Sequence, residues 1–359
     1  AAVAQAKAAE PAERAGAGVG GADRHGQQVG PGLARALKRF RGEIAGQVLQ
    51  PGETRRLEIP VARLVTQTQL SVPVAVLHGT RPGPKLWLSA ALHGDELNGT
   101  EIIRRVLARV KVERLRGTVV AVPVVNVFGF LEQSRYLPDR RDLNRSFPGS
   151  NKGSLASRLA YLFMKEIVAR CEVGIDLHTG SNHRVNLPQI RADLDDKETR
   201  RLSKAFGAPL MIHARKVPGS LRDAATERGR VVLVYEAGEP LRFNRRSILV
   251  GVRGVKHAMQ ALGMLAKPKR AQAYPTVEVR KTHWLRANRS GIVQMKVGLR
   301  DHVEKGQTVA VLYDAFGDVV SRVRAGAPGV VIGHTLNPLL NRGEAILHVG
   351  ELPAARKRG

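Results

Sequence analysis

Two histidines and one glutamate occupy positions from which they could bind a metal ion. His93 and Glu96 are three residues apart, where an apolar strand would pass into a helix, so both side chains would share one helix face. His178 ends a second apolar stretch, IDLH, and strand ends are where an open α/β sheet forms its sites. The His93–Glu96 pair alone has an ordinary alternative, because acidic residues are favoured at the start of any surface helix.

The cysteine content limits the kind of metal site that the chain could build. There is one cysteine, Cys171, so an intramolecular disulfide and a cysteine-built zinc site are both excluded. Two histidines and a glutamate form the three-ligand set of a catalytic zinc site, which leaves a fourth position for water. We therefore predict one Zn²⁺ per chain, with Asp176 orienting the imidazole of His178 from two residues away.

A further carboxylate, Glu236, ends the apolar stretch VVLVYEAG. Its apolar neighbours along the chain would remove it partly from water, which suits a general base that takes a proton from a water molecule. The structural alternative is an ordinary ion pair, because the chain is rich in arginine. The residues alone leave both interpretations open.

Arginines are concentrated in the segment SRYLPDRRDLNRSFPG, residues 134–149. A guanidinium group can bind a carboxylate through two parallel hydrogen bonds, and Asn144 could add an amide donor beside Arg145. A loop arginine is otherwise a solvated charge. The segment contains four candidates: Arg135, Arg140, Arg141 and Arg145.

The elements that would position these residues are apolar runs alternating with amphipathic patterns. Strands are predicted at 55–65, 70–78, 86–92, 118–125, 172–177 and 231–237, and helices after His93, over 152–170 and over 245–265. This alternation predicts an α/β fold with helices on both faces of one sheet.

Composition divides the chain into four segments. Residues 1–34 form an Ala/Gly-rich arm that is expected to be flexible, and residues 35–268 form the catalytic domain. Residues 275–352 contain short β-rich runs separated by Gly and Asp, which predicts a small all-β domain. Residues 353–359 are a basic tail.

The charge of the chain favours anionic ligands. Lys and Arg number 58 and Asp and Glu 31, for a net charge of +27. The basic residues are spread along the chain and no zinc finger or RNA-recognition signature occurs, so we predict no specific nucleic-acid partner. No run approaches 18 apolar residues, so no membrane partner is expected. One free cysteine fits the cytoplasm, and the periplasm is also compatible.

Four strings, LHGDELNG, RDLNRSFPG, IDLHTG and VYEAGEP, occur in that order. Together they resemble the succinylglutamate desuccinylase/aspartoacylase family of zinc carboxypeptidase-like hydrolases, over residues 44–350. The resemblance implies a mixed central sheet with a smaller C-terminal all-β domain. Within the family, the segment 134–149 is most similar to the N-acetyl-diaminobutyrate deacetylase-like branch.

The resemblance also implies roles for individual residues. It implies zinc bound by His93, Glu96 and His178, Glu236 as catalytic acid and base, and Arg135 near the scissile carbonyl. Asn144 and Arg145 would bind the substrate carboxylate. The loop after Arg135 looks longer than in the aspartoacylase branch, so Arg140 and Arg141 remain alternatives to Arg135.

We therefore expect a zinc-dependent amidohydrolase, a deacylase. Its substrate would be a small N-acylated amino acid or amine that carries a carboxylate. One alternative is a metallocarboxypeptidase acting on short peptides with the same metal and base. Another is a catalytically silent module that binds anions through the positive charge. The sequence is compatible with a homo-oligomer.

Overall fold

The computed structural model describes residues 42–267 and 275–352. The predicted arm (1–34), the basic tail (353–359) and most of the predicted linker lie outside these ranges. In the first described range the strands are β1 (Gly42–Ile44), β2 (Gln47–Leu49), β3 (Thr54–Arg63), β4 (Gln69–His78), β5 (Arg81–Ala90), β6 (Arg116–Val122), β7 (Val173–His178), β8 (Arg184–Ala192), β9 (Leu210–His213) and β10 (Val231–Gly238).

The α-helices of the same range are α1 (Asn98–Leu107), α2 (Val127–Leu131), α3 (Leu155–Glu166), α4 (Lys197–Phe206), α5 (Leu221–Thr226) and α6 (Arg245–Ala261). Short 3₁₀ helices span Val112–Arg114, Leu143–Arg145 and Val168–Arg170. The second described range contains β11 (Val277–Val279), β12 (Thr282–Arg286), β13 (Gly291–Met295), β14 (His302–Val303), β15 (Thr308–Tyr313), β16 (Val319–Arg324), β17 (Gly329–Thr335), β18 (Leu339–Leu340) and β19 (Ala345–Gly350).

The central sheet is mixed, as predicted. Its main path runs β12-β19-β17-β8-β10-β7-β5-β6-β4-β3. The pairs β10–β7, β7–β5 and β5–β6 are parallel, so the C-terminal ends of β5, β7 and β10 meet at one edge. That edge carries the predicted chemistry, because β7 ends at His178 and β10 contains Glu236 near its end.

Helices cover both faces of this sheet, which confirms the predicted layer architecture. Side chains alternate along each strand: Leu86 and Leu88 pack under α1, α4 and α6, while Trp87 between them packs on the opposite face, which α3 and α5 cover. The continuous apolar runs of the sequence therefore correspond to strands that are buried on both faces of the sheet.

The C-terminal strands are continuous with this sheet. β17 pairs antiparallel with β8, with Gly333 opposite Asn186, and β19 and β12 follow outward. A separate four-stranded sheet, β16-β15-β13-β18, packs in the same region and shares one apolar cluster with β17 and β19. This β-only region matches the predicted C-terminal architecture, while the domain division at 268–275 stays a prediction.

Candidate active site

The turn after β5 carries His93 and Glu96 to the edge of the sheet. The prediction that they share a helix face was wrong, because α1 begins only at Asn98. Ala91 adopts φ 48°, a left-handed conformation that is costly for a residue with a Cβ atom. Backbone bonds from Val125 N to Ala90 O and from Asn126 N to Ala91 O, both 3.0 Å, hold this turn. Gly94 is required next, because a Cβ atom there would lie 1.9 Å from the carbonyl carbon of Gly129.

Helix α1 begins close to the end of β7, and this brings the three candidate ligands together. A Cβ atom on Gly99 would lie 2.7 Å from Ala90 Cβ and 2.8 Å from Leu177 Cβ, so only glycine permits this approach. His93, Glu96 and His178 each offer a ligand atom within 4.8 Å of the others. Both imidazole Nδ1 atoms lie 2.8 Å from the Glu96 carboxylate, His93 against Oε1 and His178 against Oε2.

The cluster is buried, and the Glu96 carboxylate lies at its centre. Burial raises the pKa of Glu96, but His93 and His178 outweigh burial and hold that pKa well below its ordinary value. The carboxylate is therefore ionised, and imidazole nitrogen with carboxylate oxygen is a donor set suited to Zn²⁺. His93, Glu96 and His178 could thus hold one divalent ion.

Asp176 fixes the orientation of His178, as the strand spacing predicts. Its carboxylate is 2.7 Å from His178 Nε2 and accepts a hydrogen bond of 2.7 Å from Ser89 Oγ. Burial lowers the pKa of His178, but Asp176 and Glu96 outweigh burial and raise it well above its ordinary value. With Nε2 bonded to Asp176, the Nδ1 atom is the one that faces Glu96.

Arg135 lies beside the three-residue cluster. Its Nη1 donates to Ser181 Oγ at 2.7 Å and lies 3.7 Å from Glu96 Oε1, while Nη2 donates to Asp142 Oδ2 at 2.8 Å. Asp142 Oδ1 lies 3.3 Å from His93 Nε2 and so links the arginine to the cluster. Arg140 and Arg141, the two alternatives to Arg135, are exposed and do not line the cavity described below.

Asn144 and Arg145 lie on the 3₁₀ turn that follows Asp142. The Asp142 carboxylate caps the turn by accepting from Asn144 N at 2.8 Å. Asn144 Oδ1 accepts from Leu221 N at 2.9 Å, which leaves its amide nitrogen as a free donor among the described residues. Arg145 donates to the Asn144 carbonyl at 2.6 Å and has no carboxylate within 4.0 Å in the described ranges.

Glu236 has polar rather than apolar neighbours. Asn186 Nδ2 donates to its Oε2 at 2.9 Å, and Arg191 Nη1 lies 3.5 Å from the same oxygen. Both neighbours come from β8, which pairs with β10. The ion-pair alternative is therefore observed at Oε2. The general-base role stays a prediction, and Oε1 has no hydrogen-bond partner among the described residues.

All seven predicted site residues line one cavity of about 780 Å³. Its walls include residues of the C-terminal strands, among them Trp284. A second group of possible ligands, Asp193, Asp195 and His213, is partly exposed, and Arg280 already pairs with Asp195 at 2.8 Å.

The catalytic-domain model of succinylglutamate desuccinylase and aspartoacylase matches residues 82–262. The N-alpha-acetyl-L-2,4-diaminobutyric acid deacetylase of Halomonas elongata is 30% identical over 295 residues, which cover 78% of this chain and 86% of the relative. The chain belongs to the succinylglutamate desuccinylase/aspartoacylase family. The sequence resemblance is thereby confirmed.

Solved structures of the family share the fold. A succinylglutamate desuccinylase/aspartoacylase of Rhodobacter sphaeroides superposes with a TM-score of 0.76 at 25% identity, covering 87% of this chain and 99% of its own. The product-bound ectoine utilization protein EutE (DoeB) of Ruegeria pomeroyi gives 0.76 at 26% identity, covering 84% and 96%. In the described ranges, no helix has the length and apolar character needed to cross a membrane.

Sequence reasoning missed Arg222, which this family member buries in the cavity wall. The residue is 8% exposed, its Nη1 has no hydrogen-bond partner among the described residues, and its Nη2 donates to the Arg215 carbonyl. A buried guanidinium without a counter-ion is unfavourable, so this position suits a bound anion. Nothing in the local sequence identifies Arg222, because the segment SLRDAAT has the pattern of an ordinary surface helix.

Proposed function

We propose that the chain is a zinc-dependent amidohydrolase that cleaves the amide of a small N-acylated amino acid or amine. The products are a carboxylate and a free amine. The convergence of His93, Glu96 and His178 in the wall of one cavity is the observation that carries this proposal. When bound by these three side chains, zinc would supply Lewis-acid activation of water and of the amide carbonyl.

Glu236 moves the proton in this proposal. Asn186 and Arg191 contact its Oε2, so Oε1 is the atom that accepts a proton from the attacking water. The same oxygen returns that proton to the leaving amine, whose departure requires protonation.

Arg135 stabilises the negative charge that develops on the amide oxygen. Asp142 and Ser181 hold its guanidinium in a fixed orientation, so no reorganisation is needed as charge develops. Removal of one such donor from an oxyanion site costs about 3–4 kcal/mol. Arg135 Nη1 also lies 3.7 Å from Glu96 Oε1, so the guanidinium group interacts electrostatically with the proposed metal site.

Arg145, Asn144 and Arg222 bind the substrate carboxylate. Their free donors line the cavity, and Arg222 is buried without a counter-ion. A carboxylate would satisfy these groups through charge-assisted hydrogen bonds. The Halomonas relative, a deacetylase of an N-acetylated amino acid, supports this substrate class.

Two measurements test the proposal. Metal analysis of the purified protein should find one zinc per chain, and removing it should abolish hydrolysis of N-acetylated amino acids until zinc is returned. Short peptides with free C-termini serve as the competing substrates. Preference for peptides would identify a carboxypeptidase, while a protein that binds no zinc and cleaves neither class would contradict the proposal.

A further inference from the structure

A tight turn between β7 and β8 lies beside the proposed metal site. It spans Ser181 to Arg184, and Arg184 N donates to the Ser181 carbonyl at 3.3 Å. Both central residues have positive φ, 52° at Asn182 and 57° at His183, which is the pattern of a type I′ turn. Asparagine tolerates this conformation, but the second central position favours glycine, so His183 is unfavourable there. We call residues 181–184 the site turn.

The first residue of the site turn connects two parts of the proposed chemistry. Ser181 Oγ donates to Glu96 Oε1 at 2.9 Å and accepts from Arg135 Nη1 at 2.7 Å. A serine hydroxyl has only one proton to donate, so these two contacts together fix its direction. Ser181 therefore holds a buried carboxylate, a proposed metal ligand, in one arrangement with the guanidinium group of Arg135.

The far end of the site turn is bonded to the C-terminal strands. The His183 carbonyl accepts from Leu336 N at 2.7 Å, one residue beyond the last paired residues of β8 and β17. Asn182 and His183 are exposed and do not line the cavity. The unfavourable conformation thus lies outside the pocket, between the C-terminal strands and the active-site hydroxyl. Unfavourable backbone conformations that surrounding contacts hold in place cluster at functional sites.

The chain that precedes the site turn is held independently of it. Thr179 N donates to Glu96 Oε2 at 3.0 Å, and Gly180 N donates to the Gly238 carbonyl at 2.9 Å. Opening the turn should therefore spare the contact at Oε2 and disturb the contact at Oε1, together with Arg135 beside it. The expected effect is confined to one oxygen of the carboxylate and to one guanidinium group.

We infer that His183 is a positioning residue that acts on the proposed metal site through Ser181. Its left-handed backbone and its bond to Leu336 fix the site turn, and the turn fixes the Ser181 hydroxyl between Glu96 and Arg135. The backbone conformation at His183 matters here, and the imidazole takes no part. This inference rests on the proposed function, in which Glu96 binds zinc and Arg135 stabilises the developing negative charge.

Three variants separate the conformation of the turn from its side chains. His183→Val places a β-branched residue at positive φ, which such residues avoid, so the turn should open. His183→Gly removes the same imidazole but favours the turn. Ser181→Ala removes the hydroxyl and leaves the backbone unchanged. Gln67→Val is the matched control, because Gln67 is exposed, has φ 65° and lies between β3 and β4, outside the cavity.

Zinc affinity, measured by competition with a chelating dye, requires no turnover. We expect Ser181→Ala and His183→Val to weaken zinc binding by about 10–100-fold, the range for groups that orient a ligand. At saturating zinc their kcat should fall while KM changes less than about twofold, because Arg135 acts in the transition state. His183→Gly and Gln67→Val should match the parent in zinc affinity.

Parental zinc affinity in Ser181→Ala or in His183→Val overturns the inference. An equal loss in His183→Gly would assign the effect to the imidazole, and an equal loss in Gln67→Val would assign it to general destabilisation. Either result also overturns the inference.

Hydrogen exchange in the zinc-free protein tests the turn itself. Because the Leu336 amide donates to the His183 carbonyl, His183→Val should speed its exchange by at least about tenfold, and Gln67→Val should not. Unchanged exchange in His183→Val overturns the inference. A parent that binds zinc without cleaving amides contradicts the proposed function alone. A parent that cleaves amides, with parental zinc affinity in His183→Val, contradicts this inference alone.

Discussion

Glu236 and His178 are direct partners in the parallel pairing of β10 with β7. Neighbouring strands lie about 4.8 Å apart and paired side chains leave the sheet on the same face. The spacing between the proposed proton carrier and a proposed metal ligand is therefore set by backbone hydrogen bonds rather than by a loop. Replacing either side chain should leave that spacing intact, so the variants below report on chemistry rather than on folding.

Removal of any one proposed ligand should release zinc. His93→Ala, Glu96→Ala and His178→Ala should each lose activity and weaken zinc binding by more than the roughly 10–100-fold typical of residues that only orient a ligand. Zinc content after dialysis against a weak chelator measures this. Asp176→Asn is the comparison, since Asp176 contacts His178 without offering a ligand itself. A ligand variant with full zinc content and full turnover would remove that residue from the site.

Glu236→Gln should separate metal binding from catalysis. The substitution keeps the shape of the side chain and the hydrogen bond from Asn186 but removes the proton acceptor. Zinc should stay bound while kcat falls by roughly 10²–10⁴. Glu227→Gln, an exposed glutamate outside the cavity, is the control. Normal turnover in zinc-loaded Glu236→Gln would show that another group carries the proton.

Arg145→Lys should mainly impair substrates with a free carboxylate. Lysine keeps the charge but cannot form two parallel hydrogen bonds. The transition-state stabilisation measured by kcat/KM should therefore fall by about 1.5–3 kcal/mol, the value of a hydrogen bond to a charged group. Amidated analogues should already be poor substrates and should lose little more. Arg140→Lys, on an exposed arginine of the same segment, should change neither. Equal losses for both substrate types would exclude Arg145 from carboxylate binding.

Stability should depend on pH through His348. Burial lowers its pKa to about 3 in the folded chain, whereas an unfolded histidine titrates near 6.5. Between pH 6.5 and pH 3, the His348 imidazole is protonated in the unfolded chain but neutral in the folded chain. The stability present above pH 6.5 is therefore lost as pH falls towards 3. His348→Phe keeps a ring against Trp284 and removes this titration.

Urea unfolding of both proteins at pH 7.5 and pH 4.5 measures the effect. Between pH 7.5 and pH 4.5, the free energy of unfolding of the parent should fall by up to about 2–3 kcal/mol more than that of the variant. Each pKa unit corresponds to about 1.4 kcal/mol. His302, an exposed histidine of the same region, provides the control substitution. A difference that is the same at both pH values would contradict the prediction.

The strands that run through the core were predictable because both of their faces are apolar. The runs at 86–92, 172–177 and 231–237 lie in or overlap β5, β7 and β10, and the histidines and Glu236 were identified from their positions near the ends of these runs. Strand β8, RVNLPQIRA, was missed although its polar and apolar residues alternate as in a half-buried strand, because a proline interrupts the run. Its polar side supplies the cavity with Arg184, Asn186 and Arg191.

The surroundings of Glu236 could not be predicted for a related reason. Its sequence neighbours are apolar, but its spatial neighbours come from β8, some fifty residues earlier in the chain. Likewise, the sequence gives no sign that Arg222 is buried with an Nη1 atom that has no hydrogen-bond partner among the described residues. Local patterns identify which residue types are present, whereas pairing between distant strands decides which of them meet.

The pairing of β17 with β8 has a consequence for biosynthesis. Asn186, which contacts Glu236, lies opposite Gly333, and Trp284 completes the cavity from β12. A nascent chain that has emerged from the ribosome only as far as α6 carries all three proposed metal ligands but lacks the strands that complete the cavity. Substrate recognition should therefore begin only when translation is nearly complete, and a premature stop before residue 333 should leave the cavity wall incomplete.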